Sequence, residues 1–494
     1  MLKPVINSEG YNSLLKIVRG QSVAECRFPQ SSEINEIIAV YPQVSCVSCE
    51  VSDGRVNYSG KLVLTLVYTD EEGKLCRMQK GAEFSHHADD DALASAQNGI
   101  CNMICEKISV KRDGSSFLVS AIITARVCVF ARTERSFVKS AEGAYLNLKR
   151  VPLATKVTFG GDSEVEDDFD ADSVVDVLIP SAKAVVLSAS CGTGEVNVSG
   201  EIYLSLFAMR QQTPVCLERV IPFKCALPCD DASAGIAAQA CAEITDLNVT
   251  ATVNEERGKC EIAFVCNLKI FGDFTYERDE ELADDAFSCD NALHLSYAQE
   301  TCEKCVDVKV YTERVSGLAA TKSRLGYDCK FFAAALPDAE CAFNEDTGAV
   351  EGTVKSVLVY EQNGEIKGTE VELPFSAVLN GVAESGQSVS VSVAVSGVSV
   401  RLKAEGEAEV EAILKISATV TESSSVKYVC EVEEGEAKQK ADCALSVILP
   451  EAGDGLWEIS KQLDKNPAEV LSCNPELSFP LTGKERILVY RCKN

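Results

Sequence analysis

Aromatic side chains are scarce: they make up 6% of the 494 residues, with one tryptophan, Trp457, and only three histidines, His86, His87 and His294. With so few rings to fill an interior, Val and Ala must carry the core, and that composition favours strands over helices. Basic residues are also in deficit, since 47 Lys and Arg face 75 Asp and Glu for a formal net charge of -28. Extended contact with nucleic acid or an anionic leaflet is thereby excluded, because both need cations to replace counterions. No apolar run reaches the ~20 residues of a membrane helix, and "MLKPVINSEGYNSLLKIVRGQS" is polar where a secretory leader is apolar. A cytoplasmic protein without membrane insertion is expected. Missing as well are the GxSxG nucleophile elbow and the GxxxxGK[ST] phosphate loop, so "GDGLW" at 453–457 is no phosphate loop. No catalytic residue, cofactor or metal is expected.

Cysteine is abundant, but the 23 residues are odd in number and spread along the whole chain. Free thiols are expected rather than a disulfide framework. Two CxxC pairs, Cys46/Cys49 and Cys302/Cys305, raise the question of zinc. Residues three apart on a strand point to opposite faces, which argues for packed thiols instead. "SHHADDD" at 85–91 is expected as a polar loop, and the acidic runs "GDSEVEDDFDAD" and "ERDEELADD" as solvated linkers. The first run lacks the spacing of a calcium loop.

At ~150 residues per domain the length predicts three or four units, and a weak internal repeat supplies three. "DGRVNYSGKLVLTLVYTDEEGK", "TGEVNVSGEIYLSLFAMRQQTP" and "TGAVEGTVKSVLVYEQNGEIK" align on Gly54, Gly194 and Gly348. Each glycine opens a hairpin whose next strand alternates, placing Leu62, Leu64 and Leu66 on one face, and likewise Ile202, Leu204 and Leu206. Phe84, Phe223 and Phe375 mark the end of a returning strand, and Gly114, Gly258 and Gly406 a second turn. The third copy has Val354 where the others have Gly60 and Gly200. Repeat cores span 22–131, 155–272 and 305–422, each read as a small antiparallel sandwich.

After "TESSSVKYVCEVEEGEAKQKAD" the period changes. "CALSVILP" reads as a strand, Asp454 as the cap of a helix carrying Leu456, Ile459 and Leu463 on one face, and Asn466 with Pro467 and Glu469 as a second helix start. "RILVYR" closes the module as a strand. The expected fold class is mainly β: β-sandwich-like domains over 1–150, 151–290 and, more divergent, 291–425, a polar linker over 426–443, and a βααβ module over 444–494.

"FPQSSEINEIIAVYPQVSCVSCEVSDGRVNYSGKLVLTLVYTDEEG" resembles the SPOCS domain of endospore-forming bacteria, and "GDGLWEISKQLDKNPAEVLSCNPEL" resembles the LysM module. SPOCS-like units followed by one LysM-like module resemble the SipL-type spore morphogenetic proteins. That resemblance implies a non-catalytic scaffold in the mother-cell cytoplasm at the forespore surface. Its implied partners are spore coat proteins, a coat-basement ATPase docked by the LysM module, and further copies of the chain. The LysM resemblance also implies an alternative, binding of peptidoglycan or other N-acetylglucosamine polymers in a groove. Carried onto this chain, the groove comprises Gly453, Asp454, Gly455 and Leu456 on one side and Asn474, Pro475, Glu476 and Leu477 on the other. The family usually has Thr or Ser where this chain has Gly455, and the lost hydroxyl favours protein docking over sugar binding.

Overall fold

The structure, a computed structural model, describes residues 2–29, 34–95, 97–171, 175–254, 259–321, 329–403, 407–439 and 445–490. The chain is mainly β, and one six-strand plan occurs three times. Unit 1 comprises β1 (Lys3–Pro29), β2 (Glu36–Ser52), β3 (Arg55–Thr69), β4 (Leu75–Asp89), β5 (Asn98–Asp113) and β6 (Ser116–Glu142). Unit 2 comprises β7 (Tyr145–Ala171), β8 (Val175–Cys191), β9 (Glu195–Arg210), β10 (Thr213–Pro228), β11 (Ala238–Asn254) and β12 (Lys259–Phe287). Unit 3 comprises β13 (Asn291–Thr321), β14 (Lys330–Asn344), β15 (Ala349–Gln362), β16 (Glu365–Val378), β17 (Gln387–Leu402) and β18 (Ala408–Ala437).

In unit 1 the antiparallel sheets run β2-β3-β4 and β1-β6-β5, and units 2 and 3 repeat that order strand for strand. In unit 3 the end of β13 also pairs with β16, which joins its two sheets. Alternation explains how each pair of sheets closes on a core. Leu62, Leu64 and Leu66 on β3 and Ile202, Leu204 and Leu206 on β9 are all buried against the facing sheet, as their spacing predicts. Each such side chain contributes about 1.5–3 kcal/mol relative to exposure. The turn glycines Gly54, Gly194 and Gly348 all have positive φ, 74°, 76° and 65°, which only glycine adopts without strain.

Phe84, Phe223 and Phe375 do not end their strands. Each lies within the strand opposite a glycine of the central strand: Gly60, Gly200 and Gly352. A Cβ on Gly60 or Gly200 would meet the phenylalanine ring at 2.5 Å, so the ring occupies the space a side chain would need. The third copy therefore keeps the glycine, at Gly352 and not at position 354. Its hairpin arm is two residues shorter, a deletion that leaves the alternation of faces intact.

The acidic runs are strands and not linkers. In β7, Asp162, Glu164, Glu166, Asp168 and Asp170 are exposed, while Val165 and Phe169 between them pack on the core. Residues 277–285 lie in β12, and 426–437, expected as linker, continue β18. These segments extend the first and last strands of each unit beyond the sandwich as a two-stranded ribbon: β1 with β6, β7 with β12, β13 with β18. Each ribbon carries a bulge at the same place, Lys139 after Val138, Asp284 after Ala283 and Cys430 after Val429. The repeat thus extends well outside 22–131, 155–272 and 305–422. Bulges re-aim side chains, and here Phe137, Leu282 and Tyr428, and next to them Val138, Ala283 and Val429, meet in clusters shared by all three ribbons. A second shared cluster brings Val67, Phe207 and Val359 together with neighbours from β2, β8 and β14. The three units therefore surround a common centre, and the connections at the ribbon tips are as short as Gly143–Ala144 and Ser288–Asp290.

"SHHADDD" also departs from expectation. His86 and His87 sit in β4, paired with Tyr58 and Asn57, and the strand ends only at Asp89.

Candidate functional site

Past unit 3 the chain forms β19 (Leu445–Ile448), α1 (Leu456–Leu463), α2 (Pro467–Cys473) and β20 (Ile487–Tyr490), with β19 and β20 paired antiparallel. Ile459, Leu463, Val470, Leu481, Ile487 and Val489 form its core, and Leu456 packs against it half-buried, so one face of α1 is apolar as its spacing predicts. Gly455, not Asp454, caps α1: its N–H donates to the Glu458 carboxylate at 2.9 Å. Asp454 instead accepts from the Glu451 N–H at 2.8 Å, closing the loop ahead of the helix. Asn466 caps α2 by accepting from the Ala468 N–H at 2.8 Å, with Pro467 at the first helical position. Glu469 does not reach back to that cap, because Lys465 takes its carboxylate at 3.2 Å.

The two loops that carry the expected groove are tied together. Gly453 N–H donates to Leu481 O at 2.8 Å, and Leu481 N–H to Asp454 O at 2.9 Å. Pro475 and Glu476 are exposed and Leu477 is half-buried. A shallow depression of about 440 Å³ is lined by Glu476, Leu477, Thr482, Glu485 and Arg486 with neighbouring residues. The Glu485 carboxyl is held at about 2, chiefly by the Thr482 hydroxyl and backbone N–H. Asn474 does not belong to that surface. It is 1% exposed, its Nδ2 donates to Val470 O at 2.9 Å and Leu488 O at 2.7 Å, and its Oδ1 accepts from Leu488 N–H at 2.8 Å. Asn474 is thus a clamp between the end of α2 and β20, satisfied within the fold.

Trp457 is neither in the module's core nor on the groove. Its indole Nε1 donates to Asp285 on the unit 2 ribbon at 2.9 Å, and its ring stands edge-on to Phe287 with centroids 5.0 Å apart. Lys461, one turn further along α1, binds the same carboxylate at 2.6 Å. Burial pushes the Asp285 carboxyl up, but the hydrogen bonds from Lys461 and Trp457 outweigh it and hold the group below its ordinary value. Lys438 adds a second tie, donating to Ser288 O at 2.9 Å and pairing with Asp464. Asp285 lies in the acidic run expected as a solvated linker, where its charge resembles that of its neighbours. The spacing of Trp457 and Lys461, four apart on one helix face, was the available signal.

Facing outward, Leu445, Val447 and Leu449 are 48%, 53% and 71% exposed, and Tyr490, opposite Leu445 in the ladder, 59%. Among the described residues no helix is long and apolar enough to cross a membrane, and no group of three or more His, Cys, Asp or Glu is arranged to hold a metal ion. No protein-family model matches the chain, and no curated protein or solved structure matches it at a significant level.

Proposed function

We propose that the chain is a non-enzymatic scaffold of spore coat assembly, acting in the mother-cell cytoplasm at the forespore surface. In this reading the three β units are SPOCS-like and bind coat proteins or further copies of the chain. The LysM-like module docks a coat-basement protein, an ATPase in the family it resembles. The observation that supports a docking role is the orientation of the module. Trp457 and Lys461 bind it to Asp285 while the apolar outer face of β19 and β20 stays open to a partner. Gly455, which offers no hydroxyl, and Asn474, fully engaged within the fold, leave the groove poor in groups for a sugar. Deleting 444–494 in the source organism tests the reading: the protein is expected to lose its position at the forespore, and normal localisation overturns the adaptor role.

The depression beside Glu476 and Leu477 favours one second reading, binding of peptidoglycan through the groove. A pull-down on purified peptidoglycan separates the two. Salt-insensitive retention that Glu476→Ala abolishes supports the glycan, and its absence supports the adaptor.

A further inference from the structure

Cys46 and Cys49, expected on opposite faces of a strand, share one. The register places Cys46 opposite Gly60 and Cys49 opposite Tyr58, with Val47 bulged between them. Gly60 and Tyr58 both face the unit 1 core, so the bulge turns both thiols inward. There they pack in the same core cluster as Cys101 of β5, on the opposing sheet. A Cβ at Gly99, two residues from Cys101 on the same strand, would come within 3.1 Å of the Cys49 sulfur, a measure of how closely the sheets approach here. The buried Tyr58 hydroxyl lies in the same core with no hydrogen-bond partner.

The other units show that the fold does not require these thiols. By the same bulges and registers, unit 2 has Val186, Ala189 and Ala240 at the corresponding positions, all packed in its core. Unit 3 keeps one of the thiols, Cys341 opposite Gly352 as Cys46 lies opposite Gly60, so thiols at all three positions occur in unit 1 alone. They are also graded in access, since Cys46 and Cys49 are half-buried and Cys101 is buried. The closeness of Cys101 pulls both outer thiols below the ordinary thiol value and pushes Cys101 itself above it while they are ionised. Lys269 of unit 2 adds a positive charge near both, and Glu243 a negative one near Cys46.

We infer that Cys46, Cys49 and Cys101 form a redox site, in which Cys101 closes a disulfide with Cys46 or Cys49 and staples the two sheets of unit 1. The oxidant is a low-molecular-weight disulfide such as oxidised glutathione. A Cys46 or Cys49 thiolate attacks one of its sulfurs, forming a mixed disulfide and releasing one glutathione thiolate. The Cys101 sulfur then attacks the protein sulfur of that mixed disulfide and releases the second. Two protein thiols are oxidised, one glutathione disulfide is reduced, and the two thiol protons end on the two glutathiones.

The test uses the full chain, purified reduced and then exposed to oxidised glutathione. Free thiols are blocked, disulfides reduced, and the newly released thiols labelled and mapped by mass spectrometry. The expected result is label on Cys101 together with Cys46 or Cys49, and a rise in the unfolding midpoint that dithiothreitol reverses. Cys101→Ala, the residue type unit 2 carries at this place, is expected to fold and to lose both the label and the rise. Persistent glutathione on Cys46 or Cys49 with Cys101 still free overturns the inference, as does oxidation confined to other cysteines or a zinc-bound mass in native spectra.

Discussion

Arg135 and Glu300 are joined across two units: the guanidinium Nη1 on β6 lies 3.0 Å from the Glu300 carboxylate on β13. Arg135 is 3% exposed, donates to Ala154 O at 3.0 Å and Thr155 Oγ1 at 2.7 Å on β7, and stacks over Tyr11 at 4.3 Å. The other Glu300 oxygen accepts from Tyr428 at 2.5 Å. One side chain thus touches all three ribbons where they meet. Removing it leaves Glu300 half-paired and two acceptors of β7 without a donor. Arg135→Ala is expected to destabilise the chain by about 3–5 kcal/mol, the usual cost of breaking a buried pair. Urea unfolding followed by circular dichroism measures it, and a midpoint unchanged from the parent would show the junction to be dispensable.

The Trp457–Asp285 contact has its own reporter, because the chain has no other tryptophan. Asp285→Ala is expected to shift Trp457 emission to the red while the far-ultraviolet spectrum of the β units stays the same. Acid should act in the same way. The folded carboxyl lies below its ordinary value, so its contribution to docking is complete above the unfolded value of about 3.9 and fades as the pH falls through the folded one. Emission followed from pH 7 to pH 2.5 should redden only at the acid end. A transition centred near pH 6 would assign the docking to another group.

Most of the sandwich architecture was legible because it rests on period two. The alternating leucines of β3 and the turn at Gly54 carry unit 1, and their counterparts carry unit 2. The same period was present in "DSEVEDDFDA", where every second residue is acidic and Val165 and Phe169 alternate with them, but net charge hid it. The ribbons were invisible for a different reason. Their apolar residues, such as Phe137, Leu282 and Tyr428, are buried where the three units meet and not inside any one sandwich. No local pattern announces a core built from three distant segments. At the C-terminal module the α1 stripe and the Asn466–Pro467 helix start were legible, the α1 cap falls one residue later than expected, at Gly455, and Glu469 closes no capping box. The motif gave the position of Asn474 but not its hydrogen bonds, which bury it. The CxxC at Cys46 was misread because a bulge reverses facing without leaving a mark in sequence.

The pairing of Phe223 with Gly200 predicts an uneven response to one methyl group. A Cβ at Gly200 would lie 2.3 Å from Val185 O and 2.5 Å from the Phe223 ring, and the backbone oxygen cannot move without disturbing the ladder. Gly200→Ala is expected to cost about 1–3 kcal/mol, in the range of overpacked cores, and the double variant with Phe223→Leu only part of it back. Gly352→Ala should behave alike, since its Cβ would meet Glu340 O at 2.1 Å. Thermal unfolding of the three variants tests this. Tolerance of Gly352→Ala would return the third copy to the divergent status its sequence first implied.

Gly455 and Asn474 stand on opposite loops of the module, and exchanging each for a family-like or truncated residue should separate surface from scaffold. A Cβ at Gly455 meets only the Glu458 carboxylate, at 2.7 Å, the far end of a flexible side chain. Gly455→Ser also supplies a hydroxyl at a helix N-cap, a position serine favours. That variant is expected to fold with stability within about 1 kcal/mol of the parent or above it. Asn474→Ala removes both partners of Leu488 and the donor to Val470 O, all inside the module, and should destabilise it by about 1–3 kcal/mol through the groups left unpaired. Amide exchange at Leu488 reads this directly: fast exchange in Asn474→Ala with protection kept in Gly455→Ser is the expected pair of results. If the Leu488 amide stays protected in Asn474→Ala, the asparagine does not hold β20, and its place on a binding surface is open again.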